Sequence, residues 1–502
     1  MIGQGVVLNG TGLPSLSDTY TNSGSITNVG AAVFVDSRST ILGGIVNTGL
    51  ITASGMLVTS ATITGNQLVS GIGTGMNLNG GVMPGGNLSA TGVVISSDTL
   101  GGYQTIAGVG VGAIAQLGTT TSATLTNTSS LFGTGQVSLN SQAAGQTVTG
   151  VGVGLIVSSR STIGGGIINS GAMLSGVGYV SVASASSAAL VSGVGVGLLV
   201  SNLSTIQGSI ENSGIIVGTG VVSGAVAAAG TGLRIERNSV IIGGVTNTGM
   251  IQGVNGYGVA LADNSSMSGR LVNAAGATIV GELAGIYVDT TSVIAGGISN
   301  SGVISGTLAS ISNAGTIQST ATAITLNGGQ LNGSLTNTGL IQGAAGNAVA
   351  LLNGSSVNGA IVNQVGASMI GGLAGIYVDA TSTISGGISN SGLISGSIAA
   401  ISNAGSILGD KTAISIGATG VLSGGLINSG LIKASNYAIR ADNNAAAFTI
   451  SIAGTAATIA GDVYAPQASL ALATGAEFTN TNAILVNSLN IANGATFNFT
   501  NT

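Results

Sequence analysis

The sequence predicts an all-β fold, namely a right-handed parallel β-helix (β-solenoid) of about 20 coils. The first observation is repetition: "TSVIAGGISNSGVISG" (291–306) returns 90 residues later as "TSTISGGISNSGLISG" (381–396), and the block near 242–331 recurs as 332–421. The second is composition, because 89 glycines, 3 prolines, 8 basic and 13 acidic residues among 502 favour short strands joined by tight turns.

A smaller unit of about 26 residues defines one predicted coil. An Asn followed by a small residue and Gly closes a short strand, and copies at Asn247, Asn273 and Asn300 recur at close to this interval. Asn and Gly favour tight turns because both accept the left-handed backbone region. Further copies are Asn47, Asn169, Asn212, Asn337, Asn390 and Asn428, and the copies at Asn273 and Asn363 are looser.

One repeat shows how the coil is built. In "GIYVDTTSVIAGGISNSGVISG" (285–306), three short strands with inward aliphatic residues alternate with three turns. Coils stack about 4.8 Å apart, so equal positions lie on top of one another. We therefore expect the stacked side-chain amides to form a hydrogen-bonded ladder along the axis. Its predicted members are Asn247, Asn273, Asn300, Asn337, Asn363, Asn390 and Asn428.

The regularity of the repeats divides the chain into three predicted parts: irregular coils over 1–149, regular coils over 150–440 and a tighter solenoid over 441–502. "GVGVG" begins at positions 108, 150 and 193, and these long intervals predict two short coils each. "GAEF" (475–478) and "GATF" (494–497) are closer together than the copies of the regular repeat, which predicts the tighter terminal coils.

Two intervals break the register of the regular part. Asn300 and Asn313 are 13 residues apart, and so are Asn390 and Asn403. Either one coil carries an outward loop at these places, or two coils are unusually short. The sequence allows both interpretations.

Composition also limits the functional classes. No window of about 18 residues is free of Gly, Ser and Asn, so no transmembrane helix is predicted. Residues 1–30 lack the basic start and apolar run of a signal peptide. The absence of Cys suits an exported protein. A net charge of −5 without a basic patch argues against a nucleic-acid partner.

The repeats resemble the β-helical passenger domains of bacterial autotransporters, which carry long runs of GGI-x-NSG-x-I-x-G coils. The matching segments cover the chain from about 20 to 440. They are "GGIVNTGLI" (43–51), "GGIINSG" (165–171), "GGISNSGVISG" (296–306), "GGISNSGLISG" (386–396) and "GGLINSGLI" (424–432).

The resemblance implies secretion across the outer membrane and display at the cell surface, often for adhesion. The expected partner is a host or neighbouring-cell surface, through a glycan or a protein, and the expected location is extracellular. A family member reaches the membrane through a C-terminal translocator barrel, whose long alternating strands this sequence does not show. We therefore expect the chain to be an excised or incomplete passenger.

Acidic residues follow several of the predicted strands. They are Asp36, Glu236, Asp263, Asp289 and Asp379. In one interpretation they accept hydrogen bonds in turns. In the other, Glu236, Asp263 and Asp289 stack in adjacent coils and hold calcium. No other cofactor is expected. Nearby arginines offer a different way to neutralise these charges: Arg234, Arg237 and Arg270.

Three aromatic residues are predicted to occupy one outward position of the coil. Tyr287, Tyr377 and Phe34 each alternate with inward aliphatic residues. Outward aromatic side chains on a flat β-face bind sugar rings or a partner protein, or they cover a neighbouring strand. The sequence predicts a binding surface here without naming its ligand.

The chain lacks the residues that most often act as general bases and nucleophiles, because it contains no His and no Cys. We expect no enzymatic activity. The predicted function is an adhesive rod, and the first alternative is a self-assembling surface layer or filament. A carbohydrate-active enzyme, with stacked acids such as Asp263 and Asp289 as a glycosidase pair, is the least favoured alternative.

The ends of the predicted solenoid favour self-association. In "IANGATFNFTNT" (491–502), Ala495, Phe497 and Phe499 alternate with polar residues as in a strand that still needs a partner. Open strand edges template pairing with another chain. We expect end-to-end association at micromolar concentration, and less of it in a Phe497→Lys, Phe499→Lys double variant.

Overall fold

A computed structural model describes the chain without a break over 229–443 and 445–480. It also describes segments 4–8, 15–16, 20–22, 25–29, 31–35, 40–41, 45–47, 50–59, 67–70, 76–78, 87–100, 104–115, 120–121, 124–127, 130–142, 147–175, 178–182, 190–223 and 482–499. These residues contain β-strands and turns, and no helix among them is long and apolar enough to cross a membrane.

Most of the described strands are short, and they pair in parallel with strands of the next coil, which makes the fold a parallel β-helix and confirms the predicted class. The first group of strands is β1 Gln4–Leu8, β2 Ser15–Leu16, β3 Tyr20–Asn22, β4 Ser25–Val29, β5 Ala31–Val35, β6 Thr40–Ile41, β7 Ile45–Asn47, β8 Leu50–Thr59, β9 Gln67–Ser70, β10 Met76–Leu78, β11 Asn87–Leu100, β12 Gln104–Val109, β13 Ala113–Ala115, β14 Thr120–Thr121, β15 Leu125–Asn127, β16 Ser130–Gln142, β17 Thr147–Val151, β18 Leu155–Val157, β19 Thr162–Ile163, β20 Ile167–Asn169, β21 Ala172–Ser175, β22 Tyr179–Val182 and β23 Leu190–Val194.

The next group is β24 Leu198–Val200, β25 Thr205–Ile206, β26 Ile210–Asn212, β27 Ile215–Gly218, β28 Val221–Ser223, β29 Leu233–Ile235, β30 Val240–Ile241, β31 Val245–Asn247, β32 Met250–Gly253, β33 Val259–Leu261, β34 Ser266–Met267, β35 Leu271–Asn273, β36 Thr278–Gly281, β37 Ala284–Val288, β38 Val293–Ile294, β39 Ile298–Asn300, β40 Val303–Gly306, β41 Ala309–Asn313, β42 Thr316–Ser319, β43 Ile324–Asn327, β44 Gln330–Leu331 and β45 Leu335–Asn337.

The last group is β46 Leu340–Gly343, β47 Val349–Leu352, β48 Ser356–Val357, β49 Ile361–Asn363, β50 Ser368–Gly371, β51 Ala374–Val378, β52 Thr383–Ile384, β53 Ile388–Asn390, β54 Leu393–Gly396, β55 Ala399–Asn403, β56 Ser406–Leu408, β57 Thr412–Ile416, β58 Val421–Ser423, β59 Leu426–Asn428, β60 Leu431–Ala441, β61 Thr449–Ile452, β62 Thr458–Leu472, β63 Glu477–Asn480, β64 Ile484–Ile491 and β65 Thr496–Phe499.

The core consists of aliphatic side chains stacked coil upon coil. Alternation directs every second residue of a strand inward, and a single coil is too thin to bury these side chains alone. Stacking removes them from water, and a fully buried Leu or Ile contributes about 1.5–3 kcal/mol. One such column is almost completely buried: Ile294, Ile317, Ile341, Met369, Ile394 and Leu422.

The contacts divide the chain into two compact units. Unit 1 contains residues 1–268 and 278–286, and unit 2 contains residues 269–277 and 287–502. The three-part division predicted from the regularity of the repeats stays a prediction.

Unit 1 corrects the interpretation of the GVGVG intervals. Leu155 pairs in register with Leu198, so the whole interval forms one long coil and not two short ones. The extra length includes strands β9, β12, β17 and β23, which pair as a separate four-stranded parallel sheet. Near the end of β23 this sheet comes close to the main strands, since a Cβ at Gly193 would approach the Leu199 Cδ2 atom to 2.6 Å.

Unit 2 decides between the two interpretations of the short Asn intervals, and both are wrong. Asn390 pairs with Ile416, whereas Asn403 pairs with Val378 on one side and with Asn428 on the other. The Asn motif therefore occurs twice within one coil, in β53 and again in β55. Nothing loops out, because the coil consists of two similar half-coils and either half accepts the motif.

The two half-coils of unit 2 form two rows of stacked strands. Row A contains β41, β45, β49, β53 and β57, and row B contains β39, β43, β47, β51, β55 and β59. The Asn motif lies in row B at Asn300, changes to row A at Asn313, and returns to row B at Asn403. The two copies of the duplicated block therefore present equal residues in different rows.

The terminal coils are tighter, as predicted. Phe478 pairs with Phe497, and their rings stack with centroids 5.4 Å apart. Ile450 pairs with Leu470 in the same way. Both steps are shorter than the regular coil of about 26 residues. The long continuous strand β62 here replaces several short strands of the regular coil and the turns between them.

Candidate functional site

The predicted asparagine ladder is present in both units. In unit 1, Asn169 Nδ2 donates to Asn212 Oδ1 at 2.7 Å. In unit 2, Asn337 donates to Asn363 and Asn363 donates to Asn390, each at 2.9 Å. All of these side chains are at most 1% exposed, so the predicted amide bonding along the stack is confirmed for them. The further ladder bonds are Asn127 to Asn169, Asn212 to Asn247, Asn273 to Asn300, Asn313 to Asn337 and Asn403 to Asn428.

The ladder is interrupted wherever the motif changes row. The last amide of a run donates to a backbone carbonyl, as Asn390 does to Val421 O at 3.1 Å. The first amide of a run has no donor in the coil before it, because Asn403 follows Val378 in the row. Within the described part of the chain, Asn313 Oδ1 and Asn403 Oδ1 are buried without a hydrogen-bond partner.

Glu236 is the one fully buried acid of the predicted calcium position. It is 0% exposed, and its Oε2 accepts a hydrogen bond from Arg234 Nε at 2.5 Å. Arg237 Nε lies 3.8 Å from its Oε1. Burial alone would lower the pKa of the Arg234 guanidinium, but the Glu236 charge and hydrogen bond, with a smaller effect of Asp263, hold that pKa above its ordinary value.

Glu236 and Asp263 do not occupy the same position, contrary to the prediction. Ile235 pairs with Leu261, and Ala262 N–H donates to Ile235 O, so Glu236 lies opposite Ala262. Asp263 shares its left-handed backbone, φ +55°, with Arg237 at φ +56°. Glu236 and Asp263 are one residue farther apart in sequence than the paired residues Ile235 and Leu261, so the two acids are out of register.

Asp289 and Asp379 serve as turn acceptors. Asp379 Oδ1 accepts from the Thr381 N–H and hydroxyl, both at 3.0 Å, and its Oδ2 accepts from Asn353 N–H at 2.6 Å. Asp289 accepts the same two bonds from Thr291. Slight desolvation raises the pKa of Asp379, but these hydrogen bonds outweigh it and lower that pKa. Asp36 lies outside the described residues.

The described residues contain no group of three or more Asp, Glu, His or Cys side chains placed to hold a metal ion. Arg234 and Arg237 compensate the Glu236 charge, as the sequence allowed, whereas exposed Arg270 lies beside Gly296 O. The calcium site at Glu236, Asp263 and Asp289 stays a prediction that these contacts do not favour.

The predicted aromatic position is split between strand rows. Tyr377 lies in row B, in register with Ala350 and Ser402. Tyr287 lies in β37, which pairs with β41 of row A. Sequence identity suggested one shared face, but the change of row places the two rings on different faces. Phe34 pairs through its backbone with Val7 and Asn77 in unit 1, and its side chain lies outside the described residues.

The surface around Tyr377 combines a ring with polar groups. Tyr377 is half-buried, and its register partner Ala350 is only 2% exposed although strand alternation directs it outward. The ring therefore covers one neighbour and leaves part of itself in solvent. Asp379 and exposed Asn353 lie at the end of the same strands.

Sequence reasoning missed a second type of amide pair on the outside of the coils. Asn353 Nδ2 donates to Asn327 Oδ1 at 2.7 Å, and the same contact joins Asn264 to Asn238. A third exposed pair joins Asn358 to Asn332 at 3.0 Å. The sequence contained a signal for these pairs, because the two asparagines of each pair are separated by the length of one coil.

These groups bind and orient polar molecules more readily than they transfer protons. The tyrosine rings, amides and turn carboxylates supply one apolar face, several donors and several acceptors. Comparisons with protein-family models, curated proteins and solved structures found no match.

Proposed function

We propose that this chain is an extracellular adhesive β-helix, displayed on a bacterial surface, that binds neutral glycans through its outward tyrosines. The observation that carries the proposal is the half-buried Tyr377 ring, which lies in register with buried Ala350, while Asp379 and exposed Asn353 lie at the end of the same strands. A sugar presents an apolar C–H face and several hydroxyls. The ring accommodates the face, and the polar groups at its border accommodate the hydroxyls.

The low charge of the chain favours a neutral partner. With 8 basic and 13 acidic residues in total, no strong field attracts an anionic polysaccharide or a charged protein surface. Side-chain amides such as Asn353 and Asn358 instead offer uncharged donors and acceptors on the exposed side of the coil.

The resemblance of the Asn-Gly repeats to autotransporter passengers supports the extracellular location. A solenoid also suits display, because every added coil lengthens the stack and repeats its outer positions. The rarity of charge is compatible with this role, since the aliphatic columns and the asparagine ladder consist of uncharged side chains.

A glycan array tests the proposal. We expect the chain to bind neutral glycans and a Tyr287→Ala, Tyr377→Ala double variant to lose at least tenfold in affinity. Tyr437→Ala is the matched control: Tyr437 is also half-buried, but it packs beside Tyr464 and Arg440 at a different position. The proposal is wrong if no neutral glycan binds, or if the control variant loses as much affinity as the double variant.

A further inference from the structure

The two copies of the tyrosine surface point in different directions. The hydrogen bond from Ala314 N–H to Val288 O matches the one from Ala404 N–H to Val378 O. It places Tyr287 opposite Ser312 in row A, just as Tyr377 lies opposite Ser402 in row B.

The angular separation follows from the register. Row A continues from Ser312 to Thr336 and then to Val362, so Val362 lies three coils above Tyr287. The step from Thr336 to Val362 is one full coil, and Tyr377 follows Val362 by slightly more than half of that sequence distance. Val362 therefore lies directly above Tyr287, at a distance of about 14 Å along the axis. Tyr377 lies just over half a coil farther around the solenoid than Val362.

The neighbouring coils are duplicated with the tyrosine. "VALADNSS" (259–266) corresponds to "VALLNGSS" (349–356), and "SISNAG" (310–315) corresponds to "AISNAG" (400–405). Each ring therefore has an Ala in the preceding sequence repeat and a Ser in the following one. Both copies share the tyrosine and the Ser that follows it, whereas Asp263 stands in the sequence position of Asn353.

We propose that the duplication makes the chain divalent, with two glycan-binding surfaces on opposite sides of unit 2, one centred on Tyr287 and one on Tyr377. This inference rests on the proposed glycan binding and adds its valency. A repeat of a whole number of coils would have placed both surfaces on one side, where a single partner covers both. A repeat of three and a half coils lets one molecule join two glycan-bearing surfaces.

The geometry is testable without a ligand, because the chain contains no Cys. Two double variants are labelled with biotin, and the bound monovalent streptavidin is counted by mass photometry. The first variant is Tyr287→Cys, Tyr377→Cys, and the control is Tyr287→Cys, Val362→Cys. Val362 is half-buried and faces outward in the row of Tyr287. We expect two streptavidins on the first variant and one on the control, since about 14 Å on one side is too little for two.

The functional test uses beads coated with the neutral glycan that gives the strongest array signal. We expect the unmodified chain to agglutinate the beads, and Tyr287→Ala or Tyr377→Ala alone to abolish agglutination with only about a twofold loss of bound protein. Divalency is wrong if the opposite-row variant holds one streptavidin, or if either single substitution abolishes glycan binding. Absence of any glycan binding contradicts the proposed function, whereas the streptavidin count still decides the geometry.

Discussion

A buried asparagine inside a run of the ladder bonds to the asparagines of both neighbouring coils. Asn363 accepts from Asn337, donates to Asn390, and donates also to Leu393 O at 3.0 Å. Buried polar groups are expensive to leave unpaired, at about 1–3 kcal/mol each. The ladder therefore fixes the register of the stack, in addition to the aliphatic columns.

Replacement of Asn363 by Ala is expected to lower the free energy of unfolding by about 2–4 kcal/mol, because Asn337 Nδ2 and Asn390 Oδ1 both lose a partner. The measurement is urea unfolding followed by circular dichroism. Asn358→Ala is the control, since its amide bond to Asn332 is exposed, and we expect a loss below about 0.5 kcal/mol. Equal losses would show that the buried ladder adds nothing specific.

The unpaired Asn403 Oδ1 predicts that a hydroxyl introduced beside it in the core will not lower the stability of the fold. Val378 is its register partner, so Val378→Thr places a donor beside this acceptor at nearly constant volume. We expect the variant to be as stable as the unmodified chain. Val357→Thr is the control, because Val357 is equally buried but pairs with Leu331 and Ile384, and a loss of about 1–2 kcal/mol is expected there.

Asp379 predicts a defined acid dependence. Its pKa is lowered in the folded state by bonds from Asn353, Thr381 and Ser382, so its stabilising effect is complete above the ordinary carboxyl value of 3.8. That effect is lost as the pH falls through the lower folded value. Unfolding titrations should show Asp379→Asn less stable than the unmodified chain near pH 6, with the difference shrinking as the pH falls below 3.8 and through the lowered pKa of folded Asp379. A constant difference across this range would contradict the assignment.

At the scale of the element, the Arg234 and Glu236 pair marks a change in the strand row of unit 1. The preceding strands carry Ile156 and Leu199 at the position of Arg234, and these pack in an apolar cluster with Val111, Val153 and Val196. Ser201 occupies the position of Glu236. Leu199 and Ser201 of one coil are therefore followed in the next coil by the buried ion pair of Arg234 and Glu236.

Breaking this pair is expected to be costly, and removing it entirely is not. Glu236→Ser leaves Arg234 buried without its main partner, and we expect a loss of about 3 kcal/mol. The Arg234→Leu, Glu236→Ser double variant restores the residues of the preceding coil and should recover most of that loss. Thermal and urea unfolding measure both variants. A double variant that is less stable than Glu236→Ser would contradict this role.

The sequence was sufficient for the fold class, the tight terminal coils and the amide bonding within each run of the ladder, because each depends on periodicity alone. The single predicted ladder was wrong where the motif changes row, since Asn337 stacks on Asn313 and Asn428 stacks on Asn403. It was insufficient for register at single-residue accuracy. One residue of extra spacing takes Asp263 out of register with Glu236, and only the pairing of Ile235 with Leu261 reveals it. The long coils of unit 1 were also missed, since strands such as Leu190–Val194 carry no signal that distinguishes a second sheet from another coil.

At the scale of the whole chain, the duplication of 242–331 as 332–421 has a consequence that alignment alone conceals. Equal residues in the two copies, such as Tyr287 and Tyr377, occupy different strand rows because the motif appears twice within single coils. Stacking tolerates this change, since both rows receive the same aliphatic and asparagine positions. The duplicated surface is thereby distributed around the solenoid, which is the basis of the proposed divalency.

The central claim is the change of row between Asn390 and Asn403, and paired cysteines in the Cys-free chain test it most directly. Ser389 lies opposite Ser415, and Ser402 lies opposite Ile427. Opposed residues in neighbouring strands are about 4.8 Å apart, within the range that a disulfide spans. We predict that Ser389→Cys, Ser415→Cys oxidises to an intramolecular disulfide detected by peptide mass spectrometry, and that Ser389→Cys, Ile427→Cys does not. A disulfide in the second variant and none in the first would mean that 391–402 loops out and that both copies share one face.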